Sequence, residues 1–158
     1  MKHLIRSTLL LAILFAPVAA FSANVATKPT ITLDLARKLA AKAEEEAAKN
    51  KWTVVVAIVD DGGNLVYLSK MDGTQIGSID VAQKKARTAV KFKRPTKAFE
   101  DTVAGGRTAV LSLPDVIAIE GGVPIVVDGT YIGAIGISGA KSSEDGLVAA
   151  AALTLVSP

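Results

Sequence analysis

Between Lys84 and Lys97, seven of fourteen residues are basic and none is acidic. Cations at that density either meet carboxylates or phosphates, or keep one helix face in water. At helical spacing Lys84, Arg87 and Lys91 make one outward stripe, opposite Ile79, Ala82, Ala86 and Val90. Lys85 falls elsewhere, at the edge of the apolar arc near Val81 and Ala89. A lysine there must snorkel or serve a pocket, and a partly buried amine can work as a base or form a Schiff base. Upstream, "KMDG" sets the Met71 thioether and the Asp72 carboxylate beside a turn at the end of an apolar run. Lys85 and Asp72 are therefore the candidate acid–base residues.

What is missing narrows the chemistry further. The chain has one histidine, His3, and no cysteine. His3 belongs to "MKHLIRSTLLLAILFAPVAAFS", whose basic start, apolar run and small residues follow the pattern of a secretory signal peptide. The expectation is a cleaved leader over residues 1–22 and a single domain over residues 23–158. The product would be periplasmic or secreted and keep no membrane anchor. Such a product has neither imidazole nor thiol. Histidine triads, thiol nucleophiles, structural zinc and iron–sulfur clusters are then excluded. Loss of Lys2 and Arg6 lowers the formal charge from +3 to +1. With aromatic residues at 4%, little supports nucleic-acid binding.

Seven of the thirteen glycines lie between Gly121 and Gly146. "GISGAKS" lacks the spacing of a phosphate loop, and Glu144 and Asp145 occupy the helical turn where an anion would sit, so no nucleotide is expected. Gly133, Gly136 and Gly139 stand three apart in an apolar run that reads as a strand. Glycine inside a strand marks close approach by something flat or by another backbone, here read as a ligand or a neighbouring chain.

These residues need a scaffold, and the pattern supplies one. A helix is expected from Thr32 to about Asn50, a strand over Trp52–Asp60, and a "DGGN" turn into a second strand over Leu65–Met71. A helix from Ser78 to Phe92 follows, then a shorter one after Pro95 that ends at Gly105-Gly106. "VIAIE", "VPIVV" and "YIGAIGIS" read as three more strands, and a final helix begins at "SSED". Hairpins dominate, which predicts an α+β fold with an antiparallel sheet. The last helix has only Thr154 as a polar residue between Leu147 and Val156, so cover by a second subunit is expected.

In order, "VDDGGNLV", "KMDG", "SIDVAQKKARTA", "RPT", "GGVPIVVDG", "IGAIGISG" and "SSED" resemble the GlcG/HbpS family, a heme-binding or heme-degrading family also found beside corrinoid adenosyltransferase domains. The resemblance implies a profilin-like α/β sandwich with a five-stranded antiparallel sheet flanked by helices, and dimers or larger assemblies. It also implies heme as a ligand of some members. The family pattern falls on Met71, Asp72, Ser78, Lys85, Gly121, Gly122, Pro124, Ser138 and Asp145, of which all but Asp145 are taken as ligand-binding positions. For some relatives the resemblance implies histidine as the ligand of heme iron. Here an axial ligand would have to be Met71, Tyr67, Tyr131, a lysine or a hydroxyl such as Thr88. Three functions stay open: an exported oligomeric domain binding a small ligand such as heme, a histidine-independent enzyme acting on heme or a small oxo-acid, and a structural assembly module.

Overall fold

The computed structural model describes residues 26–156. Thr32 opens the first helix, α1 (Leu33–Lys49), by accepting the Leu35 N–H on its hydroxyl, and Asn50 caps the other end. Strands β1 (Val55–Asp60) and β2 (Leu65–Lys70) form the first hairpin, with Asp60 accepting the N–H groups of Gly62 and Asn64 across the turn. Helix α2 (Ser78–Phe92) ends at Lys93 in left-handed conformation, and α3 (Lys97–Ala104) follows Pro95. A short 3-10 turn over Thr108–Ser112 leads to β3 (Gly122–Val127), β4 (Thr130–Ser138) and α4 (Ser142–Leu153).

The sheet order is β2-β1-β4-β3, antiparallel throughout. It has four strands, which corrects the expected five. "VIAIE" is not a strand because other side chains claim its main chain. The Thr88 hydroxyl donates to the Asp115 carbonyl at 2.9 Å and accepts the Ile117 N–H at 3.1 Å. A Glu100 carboxylate oxygen accepts the Glu120 N–H. Thr96 binds both the N–H and the carbonyl of Gly122 at the start of β3, and Pro124 brings no N–H to any strand laid outside it.

Side-chain alternation splits the sheet into unlike faces. One carries Val56, Ile58, Ile135 and Ile137, packed with Leu39, Ala43 and Ala47 of α1 and Val148 and Ala152 of α4. The other carries Val55, Ala57, Val59, Ala134 and Gly136, against Ala82, Ala86 and Ala89 of α2. Helix α4 is covered by α1 on one side, while Leu147 and Leu155 are 61% and 51% exposed. Among the described residues, no helix is long and apolar enough to cross a membrane. The leader expected over residues 1–22 lies outside them.

Candidate functional site

Antiparallel pairing gathers most of the sequence-derived positions at one end of the sheet. Val55 lies opposite both Lys70 and Ser138, and Gly122 lies opposite Gly136. That end therefore holds the β2 exit at Met71, the β4 exit at Ser138, the β3 entry at Gly121-Gly122, and the first turns of α2 and α4. Ser78 and Ser138 are buried, and the Ser138 hydroxyl donates to the Ser78 hydroxyl at 3.2 Å.

Gly122 and Gly136 form a seat for α2. A Cβ built on Gly136 would lie 2.0 Å from the Ala82 carbonyl oxygen, and one on Gly122 would lie 2.4 Å from that of Lys85. No side chain can occupy either position while the helix stays where it is. Backbone does come close to these glycines, as their spacing predicts. It belongs to the chain's own helix, which corrects the expectation of a flat ligand or a neighbouring chain against Gly121, Gly122 and the β4 row. Gly133 and Gly139 meet the carbonyls of Val59 and Thr53 in the same manner. Pro124, opposite Ala134, is buried in mid-strand, away from the cluster at the sheet end.

Lys85 sits in the middle of this seat and is 1% exposed. Its ammonium donates to Asp145 at 2.6 Å and to the Ile137 carbonyl at 2.9 Å. Asp145, equally buried, also accepts the Ala140 N–H at the entry to α4. Gly121, with φ 123°, leaves room for both: a Cβ there would fall 2.8 Å from the Asp145 Cβ and 2.9 Å from the Lys85 ammonium. Burial pushes the Asp145 carboxyl above the usual aspartate range, against the pull of the Lys85 ammonium and the Ala140 N–H. The pair ties α2, β4 and α4 together. A lysine held in this way is a structural tie, engaged with two acceptors and closed off from any substrate needing a base or Schiff-base former. Asp72, in contrast, is exposed in the turn after β2, where Thr74 closes back onto the Met71 carbonyl. The two candidate acid–base residues thus share no site.

Sequence reading missed Asp145 as the partner of Lys85, and Thr96 as the clamp on Gly122. For Asp145 a signal existed, since a lysine on an apolar arc requires a counter-ion. Thr96 carries no such mark beyond its place after Pro95.

Residues 31–154 match the family model described as haem degrading protein HbpS-like. The chain belongs to the HbpS-like family. Over 112 residues it is 46% identical to Protein GlcG of Escherichia coli (strain K12), a match covering 71% of this chain and 84% of GlcG. Among solved structures it is similar to a double mutant of Streptomyces reticuli HbpS, with TM-score 0.79 and 32% identity, covering 91% of this chain and 99% of that one. A PduOC:heme complex matches with TM-score 0.73 and 31% identity, over 79% and 94% of the two chains.

A heme anchored by a histidine or thiolate bond does not fit the described residues of this HbpS-like chain. The described residues contain no histidine or cysteine. Met71 and Tyr67 are half-buried against the main core, on the face that α1 covers. Thr88 is fully buried with its hydroxyl doubly engaged, and Lys85 is locked. The Tyr131 hydroxyl donates to the Lys93 carbonyl at 3.3 Å. The exposed rim offers different chemistry. Ile76, in the 71–77 turn, is 80% exposed, and Lys70, exposed at the end of β2 just before that turn, directs its ammonium to the Met71 carbonyl.

Proposed function

We propose that this protein is a heme-binding domain that works outside the cytoplasm as a homo-oligomer and holds the porphyrin by its faces and carboxylates, without a histidine or thiolate bond to iron. The supporting observation is its match over 94% of a domain crystallised with heme. The binding surface is the rim around the 71–77 turn. Ile76 offers apolar contact, Lys70 offers charge for a carboxylate, and a second protomer covers the open side of the ring. Exposed Leu147 on α4 and Leu155 just beyond its end supply apolar surface for such an assembly.

Hemin titration of the chain lacking residues 1–22 tests this reading. A saturable change in the Soret band at micromolar hemin is expected; an unsaturated, linear response would overturn it. Light scattering of the same sample should give a mass above that of one chain. Mass spectrometry of the exported product should find the leader removed.

A further inference from the structure

The end of the sheet opposite Lys85 carries a second arrangement that the heme reading does not use. A hollow of about 280 Å3 is lined by Lys28, Asp61, Val90, Lys93, Thr130 and Tyr131. Its walls are mixed, with the buried Val90 among polar side chains. The Lys28 ammonium pairs with Asp61. That pairing, with a hydrogen bond from Thr30, holds the Asp61 carboxyl below the usual aspartate range, so the two charges offset each other at neutral pH.

Lys93 is different. Among the described residues its ammonium meets no carboxylate and stands over the Tyr131 ring, 5.3 Å from the centroid. The Tyr131 hydroxyl donates back to the Lys93 carbonyl at 3.3 Å. One aromatic residue thus steadies both the side chain and the main chain of Lys93. Its backbone is left-handed, with φ 51° and ψ 40°, at the C-cap of α2. Glycine fits that conformation without strain, whereas a lysine there costs stability. A strained cap whose side chain is steadied at the wall of a polar hollow points to work done by the ammonium.

We propose that this hollow is a subsite for a small oxyanion, of carboxylate or phosphate type, with the Lys93 ammonium as its charge partner and the Lys28 ammonium and the Thr130 hydroxyl beside it. The space is near the lower end of small-ligand pockets, sized for a compact anion and not for a tetrapyrrole. The site does not depend on heme binding, and its test uses no heme.

Thermal melting of the chain in sodium phosphate, sodium succinate and sodium chloride at matched ionic strength reads this out, with Lys93→Gly and Lys84→Met beside the wild type. In the wild type, at least one of phosphate and succinate should raise the melting temperature above chloride, saturably. Lys93→Gly should melt higher than wild type in chloride, because its backbone strain is relieved. It should also need at least about tenfold more anion for half the effect. Lys84→Met, on the exposed stripe, should respond as the wild type does. Two results would overturn the subsite: no anion effect in the wild type, or the same effect in Lys93→Gly, which would mark general salt stabilisation of the fold.

Discussion

The two faces of this sheet solve one packing problem in opposite ways. Under α1 and α4 the sheet presents Val56, Ile58, Ile135 and Ile137, and large side chains fill the gap between layers. Under α2 it presents Ala57, Ala134 and Gly136, and the helix descends until main chain meets main chain. A face packed by side chains can adjust through rotamers and small shifts. A face packed by backbone cannot, because neither partner has a flexible end. The rigid face also carries the polar residues at its edge: Ser78 with Ser138, and Lys85 with Asp145. Buried polar groups in such a setting have few alternative partners, so each depends on the one it has; the described residues leave no buried side-chain nitrogen or oxygen without a hydrogen bond.

The contrast can be broken most forcefully at the ion pair. Lys85→Met strands the Asp145 carboxylate, and urea unfolding should show a loss of about 3–5 kcal/mol. Adding Asp145→Leu to that variant should restore much of the loss, since two apolar groups replace two charges. A double variant no better than Lys85→Met would mean that the lysine stem, and not its charge, is what matters. Next in size comes the helix seat. Gly136→Ala should cost about 3 kcal/mol, from a methyl group that has no room beneath Ala82. Ile135→Val, one residue away on the other face, should cost only about 1 kcal/mol in the same assay. Equal losses at the two positions would erase the distinction between the faces.

The smallest expected effect lies at the first hairpin. Burial pushes the Asp60 carboxyl up, but the Asn64 amide and the N–H groups of Asn64 and Gly62 outweigh it and hold it below the usual range. A carboxylate depressed in the folded state adds stability above its unfolded value of about 4, and this is lost as pH falls through the folded value. Asp60→Asn should therefore lie closer to the wild type at pH 3 than at pH 6, as followed by melting temperature.

Sequence alone carried the helices well, because their ends are marked locally: Thr32 caps α1, Pro95 separates α2 from α3, and Gly105 follows α3. It overcounted the strands because "VIAIE" has strand composition, while the groups that claim its main chain, Thr88 and Glu100, are about twenty to thirty residues away. The glycine row announced a close neighbour but not its identity. Whether a ligand, a second chain or α2 lies on Gly136 depends on a chain crossing that no local pattern encodes. Lys85 stood out on an apolar arc for the right reason. Its partner was hidden because Asp145 also reads as an ordinary acid in the first turn of a helix.

With the glycine seam filled by α2, the proposed heme site falls on the rim around the 71–77 turn. Hemin titration of Ile76→Asp beside the wild type, with melting temperatures recorded for both, tests this directly. The account predicts an affinity lower by about tenfold and an unchanged melting temperature, since Ile76 is 80% exposed and supports no core packing. An Ile76→Asp protein that binds hemin as tightly as the wild type would contradict it.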